Sequence, residues 1–222
     1  MTGICSIPHC GRPRETYGNL CSTHKATARR HGHPLMRGVT VFELAPYVKR
    51  VQKRIAKAPH LDAWKVLHQR WQIAADIAHG YEREIKDGSP YQANRREAYR
   101  LIATVAQRVE ADRVIATALG MFMLAEERPQ RFLSDDAFWF QVARRIRGLT
   151  TIYSRSYIDA KSGKPKRVYS DLSPRTLREI ARLIIEAFGV AGLYVAKLEQ
   201  KERDAKVAEQ QRFHAALEEL AA

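Results

Sequence analysis

No apolar run in this 222-residue chain approaches the ~20 residues needed to span a bilayer, which excludes a helical membrane protein. The first residues, Met-Thr-Gly-Ile-Cys, lack the charged and apolar regions of a secretion signal. A cytoplasmic protein is therefore expected, in a bacterial or phage-infected cell if the resemblance noted below holds. Cysteine is scarce: there are three, and none follows Cys21. An odd, clustered set argues against a disulfide framework and for metal ligation. No phosphate-cradling Gly-rich loop, Gly-x-Ser-x-Gly or His-Glu-x-x-His occurs, so no common catalytic motif is announced. Internal repeats and low-complexity linkers are absent as well. Acidic residues are in short supply at one end. Residues 1–60 hold 11 Lys/Arg against 2 Asp/Glu, and residues 151–172 hold 5 against 2, within an overall charge of +14. A local excess of this kind fits a polyanionic partner, nucleic acid first, better than a merely solvated surface.

With 45% hydrophobic residues the chain can bury a substantial core. The N-terminal segment is an exception. Cys5-x4-Cys10 and Cys21-x2-His24 supply three thiolates and an imidazole, the closed four-ligand set of a structural zinc site. Gly11 and Gly18-Asn19 provide the turns between the ligands. Ile4, Ile7, Tyr17 and Leu20 are the expected apolar packing around a finger too small to fold without its metal. His24 opens a short helix to about Arg30, ended by Gly32 and Pro34. Lys25, Arg29, Arg30 and Arg37 form its expected nucleic-acid contact surface.

These residues resemble a small zinc-finger module found in phage-encoded proteins, notably beside HNH endonuclease cores. The resemblance rests on Cys5, Cys10, Arg12-Pro13, Gly18-Asn-Leu20-Cys21, His24, Arg29-Arg30 and Gly32-His-Pro34, and covers residues 5–34 only. It implies a nucleic-acid-binding attachment and a phage or mobile-element origin. It implies no activity, because one module can accompany different bodies.

The remaining chain reads as mainly α: a zinc finger over residues 1–38, then a helical bundle over 39–222 with one β-hairpin at about 150–170 and a long C-terminal helix. After a short link at Val39–Leu44, a helix is expected over Pro46–Lys57. Its Lys49, Arg50, Lys53, Arg54 and Lys57 make a second basic face opposite Val48, Val51 and Ile55. Trp64, Leu67, Trp71, Ala74, Ala78, Tyr81 and Ile85 recur at alternating spacings of three and four, so at this register the aromatics read as core. Asn94 to Glu127 reads as one long helix weakened at Gly120. Ser134 caps a further helix that carries Arg144, Arg145 and Arg147 on its polar face. Residues 150–158 and 168–169 read as strands joined by a basic turn, with Lys161, Lys164, Lys166 and Arg167 as a third contact surface. A basic helix before a basic hairpin also fits a winged helix, but no short recognition helix precedes it, so an ordinary exposed turn is the better reading. Ser173-Pro174 starts the last helix, with Gly189 and Gly192 as candidate kinks.

An HNH nuclease requires histidines on a strand–turn–helix unit, and His60, His68, His79 and His214 have no such context. No catalytic residue is assigned. The function expected is zinc-finger nucleic-acid binding, DNA before RNA, in a regulatory or accessory role. The alternatives are a protein-interaction or inhibitor protein using its helical stripes, with homodimers included, and a metal-dependent nuclease.

Overall fold

A computed structural model describes residues 3–150, 155–160, 163–168 and 171–221. Among them the chain is mainly helical: α1 (Ser22–His31), α2 (Val41–Lys57), α3 (Asp62–Lys86), α4 (Ala93–Arg108), α5 (Ala111–Glu127), α6 (Asp135–Arg147) and α7 (Pro174–Ala221). A 3-10 turn, Pro129–Arg131, lies between α5 and α6. Two four-residue strands, β1 (Arg155–Ile158) and β2 (Pro165–Val168), pair antiparallel with Arg155 opposite Val168.

The centre is α5. Every residue from Val114 to Leu124 is buried, so the helix is covered all round. A helix with no polar face can exist in water only inside other helices. Here α2, α6 and α7 lie directly against it, and α3 reaches it as well. Gly120 is a point of closest approach, not of weakness. A methyl group there would sit 3.2 Å from the backbone nitrogen of Val48 on α2. Gly192 serves α7 likewise, since an added Cβ would lie 2.2 Å from the ring of Phe122. Neither Gly189 nor Gly192 divides α7, which is one helix of 48 residues, or about 72 Å at 1.5 Å per residue. Its last described turns leave the core: residues 204–218 are all exposed.

Two expected boundaries move. The helix expected from Pro46 begins at Val41, because Thr40 and Glu43 form a reciprocal capping box, and Pro46 falls inside the helix in its second turn. The long helix expected over Asn94–Glu127 is two helices. Val109 is extended (φ −127°, ψ 128°) and buried between α4 and α5. The side chains of Trp64, Leu67, Trp71, Ala74 and Ala78 are buried as the spacing requires, and α3 packs against α4. Tyr81 stacks on Tyr99 of α4 with ring centroids 4.0 Å apart. Ser134 and Ser173 accept hydrogen bonds from the N–H groups of Ala137 and Thr176, both at 3.1 Å, and so cap α6 and α7.

Among the described residues no helix is long and apolar enough to cross a membrane.

Candidate metal centre

Residues 3–21 fold back on themselves by backbone hydrogen bonds instead of a core. The N–H of Cys5 donates to the carbonyl of Arg12 (2.9 Å) and that of Arg14 to Gly3 (2.9 Å), clasping Ile4 against Pro13. A turn closes from Cys10 N–H to the Ile7 carbonyl (3.1 Å), and Ser6 N–H reaches Asn19 (2.8 Å). His9, between the first two ligands, and Gly11, just after the second, have φ of 61° and 62°, in the left-handed region. For His9 that conformation costs roughly 1–2 kcal/mol, which something in the turn must offset.

These turns bring the sulfurs of Cys5, Cys10 and Cys21 and a ring nitrogen of His24 within 4.8 Å of one another. Cys5 Sγ and Cys21 Sγ each lie 3.4 Å from His24 Nδ1, and Cys10 Sγ lies 3.8 Å from Cys21 Sγ. A tetrahedron with metal–sulfur bonds of ~2.3 Å and a metal–nitrogen bond of ~2.0 Å has S–S edges of about 3.8 Å and S–N edges of about 3.5 Å. The three separations given are close to those edges, and the others stay within 4.8 Å. A disulfide would need ~2.05 Å, and all three cysteines are unbridged. The donor set therefore fits a tetrahedral metal ion. Cys21 is the N-cap of α1, and the His24 backbone N–H aimed at its sulfur holds its thiol below the ordinary range. Cys5 and Cys21 are buried. His9 is exposed and takes no part.

Not all the expected finger packing forms. Leu20 and Ile7 are half-buried, but Ile4 and Tyr17 are 73% and 87% exposed.

The finger is fastened to the body where α1 ends. Gly32, at φ 81°, caps α1 in the left-handed conformation, and a Cβ there would lie 2.6 Å from the backbone of Asp136 at the start of α6. Gln141 of α6, fully buried, donates from Nε2 to His31 Nδ1 (3.1 Å) and accepts the Val39 N–H at Oε1 (2.9 Å). Burial, with Arg144 and Arg30 nearby, pushes the His31 pKa down. Arg131 grips Glu43 with two hydrogen bonds (2.6 and 3.0 Å) and donates to the carbonyls of Arg37 (3.0 Å) and Gly38 (3.2 Å). Arg30 pairs with Asp171 at 2.8 Å. Residues 30–43 are thus pinned by partners scattered through the body, at Asp171, Gln141 and Arg131. Neither Gln141 nor Arg131 was singled out from the sequence, because a buried Gln or a clamping Arg has no spacing signature.

The thirteen expected contact residues fall into different environments. Arg29 and Arg37 are exposed, while Lys25 pairs with Glu15. On α2, Lys49, Lys53 and Lys57 are exposed. Arg50 and Arg54 are not available in the same way. Arg50 binds Glu127 at 2.9 Å, and Arg54 binds Glu199 and Glu202, tying α2 to α5 and α7. Their guanidinium groups were expected on a solvent face. They turn inward because carboxylates await them there. Lys164 is exposed; Lys161 lies outside the described residues, as do the side chains of Lys166 and Arg167.

Other polar pairs serve the scaffold. Asp136 is held by Arg178 (2.6 Å), which draws its carboxyl pKa down, and His68 contacts Asp112 at 2.8 Å. Among the described residues no second cluster of His, Cys, Asp or Glu gathers in the manner of the first. Arg96, Arg100, Arg147 and Arg175, which come from three different helices, meet around a cleft of about 900 Å³. Compared with models of protein families, with curated proteins and with solved structures, the chain matches none.

Proposed function

We propose that the chain is a zinc-finger protein that binds nucleic acid, DNA in preference to RNA, with zinc as a structural ion at Cys5, Cys10, Cys21 and His24. The observation that carries this reading is the tetrahedral spacing of those four donors, from which a helix leaves with Arg29, Arg30 and His31 in its last turn. The net charge of +14 supports the second half, since clustered Lys/Arg release counterions from a phosphate backbone. The body is taken to be a helical bundle bearing one basic β-hairpin, a scaffold that displays these charges. Such contacts position a protein on phosphate without reading bases, which suits a regulatory or accessory role in DNA transactions of a phage or mobile element.

The test is anisotropy of labelled duplex DNA, with an RNA duplex beside it, titrated from low to moderate salt with the zinc-loaded chain. Affinity should fall steeply with salt, and the DNA should bind the tighter. A salt-independent or absent signal rejects the reading.

One observation favours a protein partner instead. Val66, Ile73 and Ile77 on α3, and Val190, Leu193 and Tyr194 on α7, are large apolar side chains left exposed. A stable complex or homodimer in sedimentation, with no DNA affinity, would select that reading. The nuclease reading draws support only from the finger's resemblance; cleavage of a plasmid with added divalent metal is its test.

A further inference from the structure

We propose that the cleft between α4, the end of α6 and the start of α7 is the principal phosphate-binding site of the chain, and that it receives the backbone of a nucleic acid strand. This rests on the nucleic-acid reading above and moves its centre away from the finger and the run of α2.

Arg96 and Arg100 stand one turn apart on α4, so their side chains lie side by side. Arg147 enters from the last turn of α6 and Arg175 from the first turn of α7. All four line the same hollow, with Glu97 as the one carboxylate among its lining residues. Glu97 is already engaged, accepting the Thr176 hydroxyl at 2.9 Å. Arg96, Arg100 and Arg175 have no carboxylate partner among the described residues, unlike Arg50, Arg54 and Arg203, each of which is matched with an acid. Arg96, Arg100 and Arg175, with only the Glu97 carboxylate among them, leave the hollow net positive, so an anion entering it is attracted. Phosphate suits them best, because the planar fork of arginine matches its oxygens.

The site continues. Arg147 also lines a second hollow, of about 220 Å³, with Arg144 and Arg145. Arg145 in turn lines a third, of about 270 Å³, with Arg113 and Lys49. Arg145 Nε is buried without a hydrogen-bond partner, and burial pushes the pKa of both Arg144 and Arg145 down. A cation held in that state gains most from an incoming anion. Shared arginines make the three hollows adjoin one another. That fits a chain of regularly repeated phosphates, whereas one small anion would fill only the first. Lys49, expected as part of an α2 surface, then belongs to the far end of this track.

The experiment compares three forms of the zinc-loaded full chain by anisotropy with a labelled DNA duplex between 50 and 300 mM salt. They are the parent, the triple variant Arg96→Gln/Arg100→Gln/Arg175→Gln, and a charge-matched control, Lys201→Gln/Lys206→Gln/Arg212→Gln, on exposed turns of α7. The proposal predicts a loss of affinity of about tenfold or more in the first triple variant, with a log–log salt slope shallower by about 3. The control should keep the parental slope to within about one contact. Parental binding in the cleft variant overturns the site while leaving the nucleic-acid reading standing. Equal losses in both variants also overturn it, because total charge would then explain the affinity. A parent that binds no nucleic acid overturns both. Circular dichroism of each variant establishes that it is folded, and the substituted side chains are all exposed.

Discussion

The finger and the body solve one problem by opposite means. In α5 of the body, eleven consecutive residues are buried, and side chains such as Leu119 and Met121 have no exposed surface at all. Each large side chain so buried contributes roughly 1.5–3 kcal/mol. In the finger, Cys5 and Cys21 are buried, α1 has no buried residue, and Ile4 and Tyr17 face water. What the body obtains from apolar area, the finger would obtain, on the reading proposed, from four bonds to a metal ion. The join between them, at His31, Gly32 and Gln141, belongs to neither scheme: it is polar, partly buried and tightly fitted.

The largest effect should come from removing the ligand set. Cys21→Ser, or a strong chelator, should abolish amide-exchange protection over residues 3–31 while α5 stays protected. Metal binding in small fingers is worth on the order of 10 kcal/mol, far more than their other contacts supply. Loss of protection in α5 at the same time would erase the distinction. Leu119→Ala should do the reverse. It should cost the body about 3 kcal/mol in denaturant unfolding and leave zinc affinity unchanged.

The join comes next. Gly32→Ala meets both a positive φ and a backbone 2.6 Å away. A loss of about 2 kcal/mol is expected, and proteolysis between residues 32 and 40 should accelerate without loss of zinc. The α2–α7 ion pairs rank lower. Glu199 is partly exposed, and Glu199→Gln should cost up to about 1 kcal/mol and nothing in the finger.

The last effect is a slope with pH. His31 is held neutral in the fold by burial and by Arg144, Arg30 and Arg131, with Asp171 opposing them. The undocked chain therefore takes up a proton that the docked one refuses. Its docking stability is whole above the ordinary histidine pKa of ~6.5 and is lost as pH falls below it toward the lowered value. Exchange protection around Val39 should decline from pH 7 to pH 5 in the parent. The decline should be weaker in Gln141→Leu, where the contact is already gone.

What could be read beforehand follows from how local each signal is. The ligand set lies within twenty residues and has fixed spacing, so the cluster was legible. The Trp64–Ala78 stripe was legible because one face of one helix repeats it. The break at Val109 was not: no Gly or Pro marks this extended, buried residue. The helix start at Val41 was missed, although Thr40 and Glu43 carry the signal of a capping box. Arg50 and Arg54 were indistinguishable in sequence from their lysine neighbours. Only the carboxylates of Glu127, Glu199 and Glu202, about 75 to 150 residues away along the chain, separate them. The arginine cleft escaped for the same reason, its members coming from three helices.

X-ray absorption at the zinc edge, on the purified full chain, tests the central claim most directly. The account predicts one zinc per chain, with three sulfur neighbours at ~2.3 Å and one nitrogen at ~2.0 Å. A folded chain without zinc, or a zinc surrounded by oxygen and nitrogen alone, would contradict it.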